Sequence, residues 1–425
     1  MTLTTESTTL TWPDLYPAPS GGVAARIAER LFRAAVGRLD VTVRLRGAAG
    51  RPDEVLGRGG PAVVVHRPDE LFARLGRDQL IGFGEAYMTG AWSEDGTPGD
   101  QVLGDFLTVL AAEVATLVPA PLQRLRSLVV SRTPRSHRGT RENTQANVAH
   151  HYDLSNDLFA AFLDPTLSYS SALFEDPATA TVDDFVAAQH RKIDRLLDRA
   201  GVGAGTRLLE IGTGWGELAI RAAARGAHVR SITLSVEQQQ LARERIAAAG
   251  HADRVDVDLC DYRALLDEPA GAYDAVVSVE MIEAVGAEFW PTYFQTLDHV
   301  LAPGGTVAIQ AITMPHDRML ATRSTHTFIT KYVFPGGALP SVRAIEEGVA
   351  EHTTLRVADD LAMGPHYAQT LRLWDEAFIA SHDEVVALGF DETFARMWHF
   401  YLEYCRAGFA AAYIDVHQLT FTREA

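Results

Sequence analysis

A chain of 425 residues with 47% hydrophobic residues is long enough for two domains, and a formal net charge of −17 excludes nucleic acid, whose phosphates demand a basic face. No stretch reaches the roughly 18 uninterrupted apolar residues of a membrane span. Two cysteines, Cys260 and Cys405, make neither a disulfide framework nor a metal cluster and suit a reducing cytoplasm as packing residues. The acidity is uneven. Arginines gather at Arg26, Arg30, Arg33, Arg38, Arg44 and Arg46, and again at Arg124, Arg126, Arg132, Arg135, Arg138 and Arg141. Such clusters suit lipid phosphates and solvated helix faces equally.

Residues 1–20, rich in Thr and Pro without a basic start or an apolar run, read as a disordered tail rather than a leader or an anchor. Residues 23–39 carry Ile27, Leu31, Phe32 and Val36 at helical spacing. Residues 41–46 alternate as a strand, 47–52 make a turn, and 62–66 make a second strand. Residues 69–75 look helical, 82–90 open another structured stretch, and 103–117 and 122–130 are apolar helices. This is a small α+β domain over 21–130 with no catalytic pattern of its own, followed by a linker of Arg, Thr, Ser and Pro over 131–144.

From residue 145 the pattern changes. The run from His150 to Phe159 opens a helix, and 167–174 is a polar-aromatic loop. Residues 181–200 form a helix with Phe185, Ile193, Leu196 and Leu197 on one face and Lys192 and Arg195 elsewhere. Strands at 207–211, 228–234, 255–259, 275–279 and 305–312 alternate with helices up to 225, at 236–249 and at 289–301. That alternation predicts an α/β doubly wound parallel sheet, whose ligands bind beyond the carboxyl ends of the strands. The tail mixes helices at 342–352, 367–382 and 391–406 with a last strand at 416–422.

The first strand of this sheet breaks into Gly212, Gly214 and Gly216 after the acidic strand end at Glu210. Glycine lets the backbone turn sharply and approach a ligand over the N-terminus of the next helix. The spacing is Gly-x-Gly-x-Gly rather than Gly-x-Gly-x-x-Gly, which favours a nucleoside without a pyrophosphate, with S-adenosylmethionine the leading candidate. Thr233, Asp261 and Glu280 fall at neighbouring strand ends.

Six motifs in order complete the pattern: His151-Tyr-Asp-Leu-Ser-Asn-Asp157, Tyr169-Ser-Ser-Ala172, Leu209-Glu-Ile-Gly-Thr-Gly-Trp-Gly216, Thr233-Leu-Ser-Val-Glu-Gln238, Glu280-Met-Ile-Glu-Ala-Val-Gly286 and Phe334-Pro-Gly-Gly-Ala-Leu-Pro340. With these residues the chain from 151 onward resembles the cyclopropane-fatty-acyl-phospholipid synthase and mycolic acid cyclopropane synthase family. The N-terminal part resembles, more loosely, the accessory domain of longer bacterial members, which serves lipid approach or dimerisation. The resemblance implies a class I, Rossmann-like methyltransferase domain over 145–425. It also implies S-adenosylmethionine as methyl donor and a cis double bond of a phospholipid acyl chain as acceptor. Cofactor contacts carry over onto Tyr169, Ser170, Gly212, Gly214, Thr233 and Gln238, and Tyr262 stands where relatives often have a Trp that could stack on adenine.

Methyl transfer to an alkene leaves a carbocation, and a base must then take a proton. The resemblance implies a bound bicarbonate in that role, held by Glu283, Tyr367 and the backbone amide of Ile312, with Ser171 and Gln310 standing where the best-known members have Cys and His. Proton loss with ring closure gives a cyclopropane; a hydride shift before proton loss gives a methylene, the precursor of a methyl branch. The composition, rich in Ala, Arg and Gly, points weakly towards the tuberculostearic, methylene-forming type. The family reading also implies peripheral contact with the inner face of the membrane from the cytoplasm, and leaves room for a homodimer and a downstream reductase. Two readings stay open beside it: a methyltransferase acting on a small-molecule acceptor, and a non-catalytic lipid-binding protein. The aromatic tail (Phe328, Tyr332, Phe334, Trp374, Trp398, Phe400, Tyr401, Tyr404) favours an apolar acceptor pocket, or else belongs to the core.

Overall fold

The computed structural model describes residues 12–13, 15–47, 52–97, 99–117, 155–323 and 325–423. Most of the expected N-terminal tail, the helix at 122–130, the linker at 131–144, the second arginine cluster and the start of the motif at His151 lie outside these residues. Described contacts fall into two compact units, one from 1–132, 326–329 and 371–412, the other from 133–325, 330–370 and 413–425.

In the first unit, alternation places Val43 and Leu45 of β1 (Thr42–Leu45) on one face, both buried. β1 pairs antiparallel with β2 (Glu54–Leu56) and parallel with β3 (Ala62–Val65), which pairs antiparallel with β4 (Trp92–Glu94). The three-residue strands β2 and β4 are too short to show a period of two, and sequence reading passes over them. Helix α1 (Val23–Val36) stops at Gly37, short of the expected 39. The helix expected at 69–75 and the structured stretch expected at 82–90 are one element, α2 (Pro68–Met88), kinked where Asp78 and Gln79 leave helical geometry. Helix α3 (Val102–Leu117) follows as expected. Of the first arginine cluster, Arg33 pairs with Glu29 and Glu54, Arg44 with Asp95 and Arg46 with Asp53.

The tail helices at 371–380, His382–Ala387 and Glu392–Ala410 cluster with the first unit. The aromatic stripe of Glu392–Ala410 is the physical reason. Phe400 is buried with its ring 5.4 Å from Tyr87, 6.2 Å from Trp92 and 4.9 Å from Phe328. Trp398 lies 5.6 Å from Phe394 and 5.2 Å from Tyr401. A four-stranded sheet of three- and four-residue strands has too little apolar surface to close its own core, and these side chains complete it. Phe328, Trp374, Trp398, Phe400 and Tyr401 are therefore core residues of this unit.

The second unit is built on a seven-stranded sheet of order β10-β11-β9-β8-β5-β6-β7. Strands β5 (Arg207–Ile211), β6 (His228–Thr233), β7 (Val255–Leu259), β8 (Tyr273–Val279) and β9 (Leu301–Thr313) are parallel. β10 (Leu355–Ala362) and β11 (Asp415–Arg423) add an antiparallel edge. Within β5, Leu208 joins one core and Leu209 and Ile211 the other. The first core holds Ile193 and Leu196 of α5 (Phe185–Arg199), Leu218 of α6 (Glu217–Ala224) and Ile246 of α7 (Val236–Ala248). The other holds Phe294 and Leu297 of α8 (Trp290–Val300). A short helix, α4 (Asn156–Ala160), precedes them. Helices thus cover both faces, as the sequence pattern requires of a doubly wound sheet. β10 is a strand not foreseen, since its exposed positions carry Arg356 and Asp360 and mask the alternation.

Replacing Phe400 with Ala should lower the stability of the first unit by about 3–5 kcal/mol, the usual cost of a large cavity in a closed aromatic core. Urea unfolding followed by tryptophan fluorescence measures it, and an unchanged midpoint would remove Phe400 from the core.

Candidate active site

The glycine turn begins where β5 ends. Gly212, Gly214 and Gly216 all have positive φ, at +98°, +51° and +91°. A Cβ at Gly212 would stand 2.6 Å from the Met281 side chain, whereas one at Gly214 would meet nothing within 4 Å. The turn is therefore closed on the Met281 side and open above Gly214. Trp215 anchors it, donating to Asn156 Oδ1 at 2.8 Å and packing 5.0 Å from Phe159 of α4. Phe159 in turn packs 5.1 Å from the Tyr169 ring, so the polar-aromatic loop and the glycine turn share one support.

Around the turn, Thr233 donates to Gln238 Oε1 at 2.9 Å, at the end of β6 and the start of α7, where Ser235 caps the helix. Glu210 is buried and accepts from Ser231 at 2.6 Å; burial pushes its pKa up to about 8. Asp261 caps the turn after β7 and holds Arg263 at 2.9 and 2.5 Å. Tyr262 is buried in the core with its ring 5.6 Å from Tyr293 and the Arg263 guanidinium 5.7 Å from its centroid. The residues fit S-adenosylmethionine: a backbone turn open above Gly214, a hydroxyl–amide pair at the next strand end and an acidic residue at the one after.

Lys192 corrects one expectation. It stands on the buried face of α5, four residues from Ala188 and from Leu196, and its ammonium donates to Ser170 Oγ at 2.6 Å. Burial pulls its pKa down to about 8, against the pull of Glu280, Asp164 and Glu210. Helical spacing from Phe185 and Leu196 was the signal for this placement.

The expected anion-holding residues do converge, on a carboxylate of the chain itself. Tyr367 Oη donates to Glu280 Oε2 at 2.7 Å, Gln310 Nε2 donates to Glu280 Oε1 at 2.7 Å, and the Ser171 amide donates to the same oxygen at 3.0 Å. The Ser171 hydroxyl donates to Ala172 O at 3.1 Å. The Ile312 amide donates to Glu283 Oε1, while Glu283 Oε2 is buried without a hydrogen-bond partner among the described residues. Donors that would grip a bicarbonate are thus engaged by Glu280 and Glu283, and the residues as arranged do not fit that ion.

Glu280 itself was read only as a strand-end residue. The signal that could have found it is a carboxylate at the end of a strand whose residues 275–278 are buried, one residue beyond the half-buried Val279. Its φ is +51°, sparsely populated for a residue with a Cβ, and its amide donates to Gln310 O at 2.8 Å. Burial raises the pKa of Glu280, opposed by its three donors and Lys192. Burial and then the Glu280 charge push Glu283 up to about 8. Two carboxyl groups in one enclosed space oppose each other's ionisation, and Glu283, with a single donor, is the less well supported as an anion.

The orientation of Gln310 is fixed from the sheet edge. Arg195 donates to Gln418 Oε1 at 2.9 Å, so the Gln418 amide nitrogen points to Gln310 Oε1, at 3.0 Å, and the Gln310 amide nitrogen faces Glu280. Arginine has only donors, so the whole relay has one sense. Arg195 also pairs with Asp359 of β10.

A glycine turn at a strand end, polar partners at the neighbouring strand ends and a doubly wound sheet define a class I, S-adenosylmethionine-dependent methyltransferase. Residues 139–419 match the model of the mycolic acid cyclopropane synthetase family, and the chain belongs to that family. It is 54% identical over 97% of its length, and 95% of the relative's, to tuberculostearic acid methyltransferase UfaA1 of Mycobacterium tuberculosis. To the cyclopropane-fatty-acyl-phospholipid synthase of Escherichia coli it is 32% identical over 87% of this chain and 92% of that one. Among solved structures, mycolic acid cyclopropane synthase CmaA1 complexed with SAH and CTAB superposes with a TM-score of 0.58 at 31% identity, covering 68% of this chain and 98% of that one. Coclaurine N-methyltransferase, at 15% identity and a TM-score of 0.59 over 81% of this chain and 99% of that one, shares the fold alone.

The Glu283 proton gives a pH dependence of stability. The folded chain keeps a proton that the unfolded chain releases near 4.5, so this stabilisation is complete below 4.5 and is lost as pH rises through about 8. Glu283→Gln removes that proton equilibrium. Its Tm should fall less than that of the wild type between these limits, by at least about 3 °C. Parallel thermal melts check it; curves of equal slope would show that Glu283 is ionised in the folded chain.

Proposed function

We propose that the protein transfers the methyl group of S-adenosylmethionine to a cis double bond of an unsaturated acyl chain carried on a phospholipid, and that the product is a methylene-bearing chain, precursor of a methyl branch. The observation that carries this reading is the near full-length identity to a tuberculostearic acid methyltransferase, well above that to a cyclopropane synthase. Bound over the glycine turn, S-adenosylmethionine supplies an electrophilic methyl group on a sulfonium. Gly212 and Gly214 bring the backbone close to it, Thr233 and Gln238 bind its polar nucleoside, and Tyr169 and Ser170 close the site from the facing loop. Lys192 orders Ser170 through its hydrogen bond. An alkene is a weak nucleophile, so holding the two reactants in line and excluding water supplies much of the rate.

Access to the acyl chain comes from helix α1. Val23, Ile27 and Leu31 recur every four residues on it and are 70%, 55% and 42% exposed, with Arg26 and Arg30 exposed beside them. An apolar stripe flanked by arginine is the pattern of a helix lying in a lipid interface. Among the described residues no helix is long and apolar enough to cross a membrane.

Incubation with oleoyl phospholipid vesicles and methyl-labelled donor, followed by mass spectrometry of derivatised fatty acids, tests the reaction. The expected product is a labelled methylene chain; a labelled cyclopropane overturns the product assignment, and no labelled chain overturns the reaction. Replacing Val23, Ile27 and Leu31 together with Ser should weaken binding to anionic vesicles by about tenfold or more, since each buried side chain contributes up to roughly 1.5–3 kcal/mol. Co-sedimentation measures this, and unchanged binding removes α1 from the lipid contact.

A further inference from the structure

Transfer of a methyl cation equivalent to a neutral alkene leaves one positive charge on the acyl chain, and a neutral methylene product requires loss of one proton. The second unit must therefore hold a base beside the reacting carbons. Four titratable groups gather there: Glu280, Glu283, Lys192 and Tyr367. Lys192 is a donor to Ser170, and Tyr367 is a donor to Glu280. Glu283 has one oxygen on the Ile312 amide and retains a proton at neutral pH. Glu280 is the carboxyl group whose oxygens accept from three donors.

Three features single it out. Its two oxygens accept three hydrogen bonds, from Tyr367, Gln310 and the Ser171 amide, and a carboxylate has about four acceptor positions, so one remains for a proton. The residue adopts φ +51°, a conformation that costs roughly 1–3 kcal/mol and persists where surrounding structure imposes it. One of its two side-chain donors, Gln310, is oriented by a relay of two further side chains, Gln418 and Arg195.

Resting on the acyl methyltransferase reading above, we infer that the Glu280 carboxylate is the built-in base of the reaction and holds the place that the family resemblance gives to an external bicarbonate. After methyl transfer and a hydride shift to the first cationic carbon, the positive charge lies on the carbon that bears the new methyl group. A C–H bond of that methyl breaks, its electron pair becomes the C=CH2 π bond, and the proton goes to Glu280. The carboxylic acid then releases the proton to solvent before the next turnover. No oxidant or co-reactant is needed. A tethered carboxylate already surrounded by its donors needs no ordering at the moment of reaction, which an ion recruited from solution would need. Burial raises its basicity towards neutrality, where a general base is most effective.

The test uses the full chain with oleoyl phospholipid vesicles and labelled S-adenosylmethionine, in buffer stripped of carbon dioxide, with and without added bicarbonate. The wild-type rate is expected to change by less than about threefold, and a larger rise with bicarbonate overturns the inference. Glu280→Gln keeps the shape and the left-handed backbone but removes the base. It should lower turnover by about a hundredfold or more while calorimetry shows S-adenosylmethionine affinity retained. Turnover reduced by less than that overturns the inference, as does loss of cofactor affinity in step with turnover. The wild-type comparison does not depend on the variant folding. Absence of labelled acyl product from the wild type in every buffer would instead bring down the acyl methyltransferase reading itself, and this assignment with it.

Discussion

A carboxylate inside a folded domain must be held by donors or be neutralised, and the second unit is arranged around one that is held. Glu280 sits at the carboxyl end of β8 and takes hydrogen bonds from the loop after Tyr169, from β9 and from the segment that carries Tyr367. Three parts of the chain far apart in sequence are thus tied at one point. Burial, and after it the Glu280 charge, push the pKa of the neighbouring Glu283 up, and Lys192 faces Glu280 from α5. Removing any one donor would leave a desolvated anion short of a partner, which costs far more than an ordinary hydrogen bond contributes.

The glycine turn and the Glu280 cluster divide the chemistry. The first is backbone geometry, a strand that ends in positive φ and opens onto a helix start, suited to a flat, polar nucleoside. The second is side-chain electrostatics, suited to the fate of a cation and its proton. Glu280 and Met281 join the two halves, since the Met281 side chain packs on Gly212 while Glu280 faces Tyr367, Gln310 and Ser171. A shift in the β8 end would therefore be felt at both.

Much of this was legible in the chain. The strands at 207–211 and 255–259 and the helix at 342–352 have the boundaries that periodicity gives them. These strands are short apolar-rich or alternating runs, and their length with the flanking turn residues separates them from helices. β10 was not legible because an edge strand with charged outer positions looks like a loop. Lys192 was read from its charge rather than its position, although the helical spacing put it on the buried face. The tail aromatics carried no label saying which core they complete, because aromatic content is the same whether a side chain lines a pocket or closes a hydrophobic core.

Periodicity, and the rule that parallel strands end on one side, determined the sheet, the glycine turn and the strand-end residues Thr233, Asp261 and Glu280, while Ser171, Gln310, Ile312 and Tyr367 came from the family resemblance. Which carboxylate those polar residues would hold was decided only in three dimensions. Glu280 and Glu283 are three residues apart and chemically alike, and no local pattern separates them. The difference arises because β11 lies beside β9, placing Gln418 where it turns the Gln310 amide towards Glu280, and because the Ile312 amide is left to Glu283. Hydrogen-bond direction is a property of the assembled network, and a one-dimensional pattern does not contain it.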